Sequence, residues 1–224
     1  MTFSVVGRTT DGSEFGVAIS SSSPAVAARC SHARAGVGAV ASQNITDPSL
    51  GTAILGRLAG GASASEALAA ALAATPYGAY RQILALGRAG PAAAHSGADT
   101  LGIHATALGS DCAAGGNLLA NTLVPGAMVA AFTQASGRLA ARLLTALRAG
   151  LVAGGEAGPV RSAGVLVVRD VAWPIVDLRV DWHDSDPLGA LEALWGVYAP
   201  QVDDYVQRAV DPSRAPRFGV PGDP

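Results

Sequence analysis

The 224-residue chain contains no lysine: all 15 of its basic side chains are arginine. That absence excludes a Schiff-base or pyridoxal-phosphate lysine, a Walker-type phosphate loop and a Ser-Lys hydrolase, each of which needs an ε-amine. Cysteine is scarce. Cys30 and Cys112 form no CxxC pair, so no disulfide framework is expected, and a reducing cytoplasm is the expected compartment. Positive charge is not in excess either. The net charge of −2 and a pI near 6.0 argue against a nucleic-acid partner. No apolar run reaches the roughly 18 uninterrupted residues of a membrane span, because Ser65 and Glu66 interrupt the alanine-rich stretch 62–74. The first residues lack a basic segment followed by an apolar one, so neither a signal peptide nor membrane attachment is expected. His32, His95, His104 and His183 show none of the close spacings of a metal site, and no metal or other cofactor is expected.

What is present is an ordered series of strand and helix signals. Residues 2–9 and 14–20 are rich in β-branched and aromatic types and flank Asp11-Gly12, a strong hairpin signal. With Asp11 and Gly12 as the loop, the pairing sum is 23 and Thr2 lies opposite Ser21. A slip of one residue would exchange the two faces. A third strand is expected over residues 36–43. Asp47-Pro48 and the capping box Ser63-Ala64-Ser65-Glu66 open a helix pair over residues 48–74. Further strands are expected at 81–86, 92–96, 103–108 and 112–119, then helices at 124–136 and 138–151. Strands at 162–169 and 175–182 and helices at 188–198 and 201–210 complete the series. Hairpin-linked strands with paired helices predict an α+β fold: a four-layer α-β-β-α sandwich of two antiparallel sheets. A single domain over residues 1–210 is expected, followed by a proline-rich tail, 211–224, without regular structure. A tail that needs a surface to lie on points to a homo-oligomer.

Gly36-Val37-Gly38-Ala39-Val40-Ala41 fits a relaxed dinucleotide-binding fingerprint. Residues 30–34 do not read as a strand and Ser42-Gln43-Asn44 does not open a helix, so a closely packed glycine-bearing strand is expected instead. Thr2 is the sharper feature. Methionine is generally removed before a small second residue, which would leave Thr2 at the amino terminus. A terminal threonine carries its own general base, since an α-amine titrates near roughly 7.7–8.0.

The segments Thr2-Phe3-Ser4-Val5-Val6-Gly7-Arg8, Phe15-Gly16-Val17-Ala18-Ile19-Ser20-Ser21 and Arg34-Ala35-Gly36-Val37-Gly38-Ala39-Val40-Ala41-Ser42-Gln43 resemble the bacterial family called domain of unknown function 1028. So do Gly116-Asn117-Leu118-Leu119, Ser162-Ala163-Gly164-Val165-Leu166-Val167-Val168 and Asp177-Leu178-Arg179-Val180-Asp181, in the same order, and the resemblance runs to about Tyr198. That family is classed with the N-terminal nucleophile (Ntn) hydrolases. The resemblance therefore implies their sandwich and a catalytic Thr2. Where many members carry an acidic-Arg-Arg-Gly-x-Gln-Ser-Ala stretch, this chain has Glu156-Ala157-Gly158-Pro159-Val160-Arg161-Ser162-Ala163, which points to a different specificity.

The expected function is hydrolysis of a small amide, lactam or peptide-like bond, with Thr2 as nucleophile and its own amine as base. The alternative is a non-catalytic ligand-binding or assembly protein that keeps the fold. Asn117 and Gly116 are expected beside the developing oxyanion. Ser20, Ser21 and Ser22 are candidates to bond the amine or hydroxyl, Gln43 and Thr46 to orient a small-molecule amide substrate, and Arg161 to pair with a substrate carboxylate.

Overall fold

Strands β1 (Thr2–Arg8) and β2 (Phe15–Ser21) form the opening hairpin of the structure, a computed structural model that describes residues 1–219. Their register runs from Phe3 opposite Ser20 to Arg8 opposite Phe15, the expected sum of 23. The loop is wider than the two residues expected. The ladder closes with the Thr9 N–H on the Glu14 carbonyl, and the Thr9 and Asp11 side chains accept from the Ser13 N–H. Those bonds stabilise a longer turn, in which Gly12 takes the left-handed φ of 67°.

Strand β1 is central in a six-stranded antiparallel sheet of order β10-β9-β2-β1-β8-β7. Its other members are β7 (Ala105–Leu108), β8 (Cys112–Asn117), β9 (Ser162–Val168) and β10 (Val176–Val180). The second sheet, also antiparallel, runs β3 (Ser31–Arg34), β4 (Gly38–Asn44), β5 (Arg81–Gly87) and β6 (Ala93–Ser96). The segment 31–34, read above as non-strand, is therefore a strand. It is a partly exposed edge strand, so it lacks the alternating apolar pattern and is held by pairing with β4. The glycine segment after it does follow a strand. It turns at Gly36 (φ 69°) into antiparallel β4 rather than into a helix, so no helix N-terminus faces a pyrophosphate. The short helix α1 (Val26–Cys30) has too few residues to show a period in the sequence; its Val26, Ala27 and Cys30 bury against Ile19.

Alternation along the strands sorts their side chains into separate clusters. Val6, Val17, Ala39, Ala41, Leu84 and Leu86 pack together between the two sheets. On the far side of the six-stranded sheet, Phe3 and Val5 pack with α4 (Val124–Gln134) and α5 (Leu139–Val152) through Met128, Phe132, Leu143 and Leu147. Helix α6 (Pro187–Tyr198) adds Leu188 and Leu191 to that cluster beside Val176 and Leu178. On the far side of the four-stranded sheet, Val40, Ile83 and Ala85 meet Leu50, Ile54, Ala67 and Leu68. These belong to α2 (Pro48–Ala59) and α3 (Ala64–Ala73). The predicted caps are in place: Asp47 accepts from the Ser49 N–H, and both halves of the Ser63–Glu66 capping box are made.

Arg8 ties the sheets together at the end of β1 remote from Thr2. Its buried guanidinium donates to Asp111 (3.0 Å) and to the Gly87 carbonyl of the second sheet (2.8 Å). Helix α7 (Val202–Val210) is followed by a single 3-10 turn, Pro212–Arg214, where no regular structure was expected; the Asp211 carboxylate caps it. Arg208 donates to the Pro216 carbonyl at 3.1 Å and lies 3.8 Å from the centre of the Phe218 ring, so this stretch lies back along the chain's own α7. Positions 220–224 of the expected tail lie outside the described residues. No helix among the described residues is long and apolar enough to cross a membrane.

The close approach of the helices to the hairpin depends on two glycines. A Cβ at Gly7 would sit 2.7 Å from the Phe132 ring of α4, and one at Gly16 would sit 2.7 Å from Leu143 Cδ1 of α5 and 2.6 Å from the Leu166 carbonyl oxygen of β9. Gly7→Ala and Gly16→Ala are each expected to lower stability by about 1–3 kcal/mol. Gly56→Ala, on an open face of α2, is expected to raise it by about 0.5–1 kcal/mol. Denaturant midpoints of the three variants check this.

Candidate active site

Thr2, Ser4 and Val6 point from β1 into the space between the sheets, because alternate residues share a face. Deeper in the protein that space is apolar. At the Thr2 end it holds a buried polar layer: Thr2, Ser4 and Ser21 with Gln43, Gln82 and Asn117. Every amide in it is bonded. Gln43 accepts from the Ser4 hydroxyl (2.6 Å) and donates to Gln82 Oε1 (2.8 Å) and the Gly115 carbonyl (3.3 Å). Gln82 donates to the Ser96 hydroxyl and the Gly116 carbonyl, both at 2.9 Å, and accepts from Asn117 Nδ2 at 3.1 Å. The two glutamines thus bind the second sheet to β8, and through Ser4 to β1.

Thr2 is the first residue of β1 and stands opposite Asn117 in the ladder with β8. Its hydroxyl lies 3.3 Å from Ser21 Oγ, on the side that the pairing sum assigned, and 2.5 Å from the Met1 carbonyl oxygen. The Ser21 hydroxyl also donates to that carbonyl and is bonded in turn by the Ser23 N–H at 3.1 Å. Met1 covers the position: it is 38 % exposed while Thr2 is 6 % exposed. Its side chain lies against Gly158, where a Cβ would come within 3.4 Å of Met1 Cε.

The other residues singled out in the sequence are placed as follows. Ser20 faces the opposite way, as alternation demands, and donates to the Ser162 carbonyl at 3.0 Å. Ser22 contributes its backbone N–H, 3.1 Å from each carboxylate oxygen of Glu156. Gly116 lies in strand β8, against the Thr2 backbone, and offers its carbonyl to Gln82. Thr46 follows β4 and its hydroxyl contacts Cys30 Sγ at 3.4 Å, with no bond to the Thr2 group. The Arg161 backbone N–H reaches the Ser21 carbonyl at 2.8 Å, but its guanidinium is turned to the Asp184 carbonyl and the Trp182 ring.

The sequence assigns no role to Ser4 and Gln82 of this layer, nor to Glu156 near it. Gln82 did leave a signal: it is the polar member of the alternating set Gln82, Leu84, Leu86 that faces the other sheet. Glu156 left one only through the family resemblance, as the acid that opens the stretch 156–163. It is 5 % exposed, and its backbone bridges Leu119 just beyond β8. Burial pushes its carboxyl up to about 7, against the lowering effect of the chain-terminal amine and of the Ser22 bonds. Burial also pushes the Cys30 thiol up, and the Cys112 thiol to about 11, so neither suits a thiolate nucleophile. Among the described residues no group of three or more His, Cys, Asp or Glu is placed to hold a metal ion.

Gln82→Leu strands the Gly116 carbonyl, an Asn117 N–H and a Gln43 N–H in the interior. A loss of about 2–4 kcal/mol is expected in chemical denaturation. Glu156 makes stability depend on pH. Its folded-state pKa exceeds the ordinary 4.5, so the folded state binds the proton more tightly. That contribution is complete below pH 4.5, declines as pH rises to about 7, and is flat above. Relative to Glu156→Gln, the unsubstituted protein is expected to lose on the order of 3 kcal/mol across this window, read from unfolding free energies at stepped pH.

The comparisons with other proteins agree with this architecture. A search of curated proteins finds no match. The crystal structure of protein SPO2555 from Silicibacter pomeroyi is similar over 88 % of this chain and 89 % of that one, with 30 % identity and a TM-score of 0.82. That protein is assigned to the same family, whose model matches residues 2–191 here. The chain belongs to the family of unknown function DUF1028.

Proposed function

We propose that the protein is an amidohydrolase whose nucleophile is Thr2, exposed as the amino terminus by removal of Met1. On this reading the two sheets and their outer helices form the four-layer α-β-β-α sandwich of the Ntn hydrolases. The observation that carries it is the placement of Thr2. It heads the central strand with its hydroxyl 3.3 Å from Ser21 Oγ, and with Asn117 directly across the ladder.

The chemistry follows from those groups. With Met1 present, the Thr2 nitrogen is a peptide amide and is not basic. Once freed, it is a primary amine two bonds from the carbon that bears the hydroxyl, in reach of that proton directly or through one water. The hydroxyl oxygen attacks the substrate carbonyl, its proton passes to the amine, and the carbonyl π pair moves onto oxygen. Asn117 Nδ2 has a second N–H beyond the one it gives Gln82, and we assign that N–H to the oxyanion. Collapse of the tetrahedral species breaks the C–N bond, and the protonated amine gives its proton to the leaving nitrogen. Water then attacks the acyl ester by the same route, restoring the hydroxyl and releasing the acid. Ser21, now bonded to the Met1 carbonyl, is released to bond the new amine.

Screening purified protein against small amides and cyclic amides tests this. Turnover is expected from a chain beginning at Thr2, and Thr2→Ala is expected to abolish it by about 10³-fold or more while the fold is kept. Activity that survives Thr2→Ala would assign the reaction to another nucleophile.

A further inference from the structure

Resting on the reading of Thr2 as the mature amino terminus, we propose that Glu156 is the counter-ion of the freed Thr2 α-amine and takes up its proton before the first attack. Glu156 is nearly inaccessible to solvent, and a carboxylate is rarely buried without a cation beside it. Among the described residues it makes no ion pair with an arginine. The two arginines nearest in sequence to its contacts are engaged elsewhere. Arg161 is turned to the Asp184 carbonyl and the Trp182 ring, and Arg29 donates to the Pro24 and Ala25 carbonyls and to Ser23 Oγ. Strand β8 brings no charged side chain to the site, and β2 brings only serine. The chain-terminal amine, which in this structure is that of Met1, lowers the Glu156 carboxyl against the effect of burial.

The local geometry converges on the same place. Glu156 is held by the Ser22 N–H, the residue after Ser21. Ser21 Oγ in turn bonds the carbonyl attached to the Thr2 nitrogen. Two residues beyond Glu156, Gly158 lies against the Met1 side chain. Removing Met1 therefore takes away the amine that acts on Glu156 and leaves the Thr2 amine to replace it. The ammonium then gives its proton to the Glu156 carboxylate, which leaves a neutral amine and a carboxylic acid. The neutral amine accepts the Thr2 hydroxyl proton as the Oγ–carbon bond forms. The sequence offers no lysine for this role.

The same lack supplies the test, because the terminus is the chain's one primary amine. Its rate of acylation by acetic anhydride, followed against pH on the terminal peptide by mass spectrometry, gives the titration midpoint of the amine. Glu156→Gln keeps an acceptor for the Ser22 N–H and removes the charge. It is expected to lower the midpoint by about one pH unit, and Thr2→Ala with intact Glu156 is expected to leave it in place. Equal midpoints in the parent and a folded Glu156→Gln would overturn the assignment. Should that variant not fold, the unsubstituted protein serves. Acetylating its terminus is expected to raise the Glu156 carboxyl midpoint in carbon-13 NMR by a like amount, and an unmoved midpoint overturns the pairing. Turnover without this coupling removes the Glu156 role and leaves Thr2 chemistry standing. Coupling without turnover of any amide does the reverse, and a chain that retains Met1 overturns both.

Discussion

A closed set of amide hydrogen bonds between Gln43, Gln82 and Asn117 holds the polar end of the protein together. These side chains lie between two sheets whose remaining interface is built of alanine, valine, leucine and Phe15. Their burial is tolerated because each of the three amides is bonded, in part by the Gly115 and Gly116 carbonyls and the Ser4 and Ser96 hydroxyls. A satisfied polar layer of this kind admits one register. Shifting β5 by a single residue would put Gln82 toward α3 and bring Ile83 onto the Asn117 amide. The lock therefore fixes where β8 ends relative to β1, and so where Asn117 stands relative to Thr2.

The two ends of β1 are secured by different means. At Arg8 a buried guanidinium spans the sheets through Asp111 and the Gly87 carbonyl. At Thr2 the attachment is made by hydroxyls and backbone, with Ser21 on one side and Asn117 on the other. The strand between these ends is buried throughout. Held this way, Thr2 would lose little further freedom on meeting a substrate once Met1 is removed, as the proposed reaction requires.

Much of this arrangement was legible in the residues themselves. The sum of 23 for the first hairpin followed from Asp11-Gly12 and the strand patterns around it, and it placed Ser21 beside Thr2. The capping box at Ser63 and the proline after Asp47 marked helix starts that the structure reproduces. Local chemistry carried those features, and local chemistry is what a sequence displays. Edge strand β3 and helix α1 were missed because their four and five residues are set by neighbours rather than by a period. The site was read in part for the same reason. Ser20 was grouped with Ser21 although alternation turns it to the other face, and Thr46 was drawn in by its nearness to Gln43 in sequence. Gln82 meets Asn117 only through the packing of one sheet on the other, and Glu156 meets the Ser22 N–H only through the return of a distant loop.

Covalent labelling by an electrophilic β-lactone, with the modified site located by peptide mass spectrometry, bears most directly on the claim that Thr2 is a nucleophile activated by its own freed amine. The expected product is a chain beginning at Thr2, acylated on the Thr2 hydroxyl and unlabelled after Thr2→Ala. A folded protein that still carries Met1, or one labelled elsewhere and equally in Thr2→Ala, would contradict it.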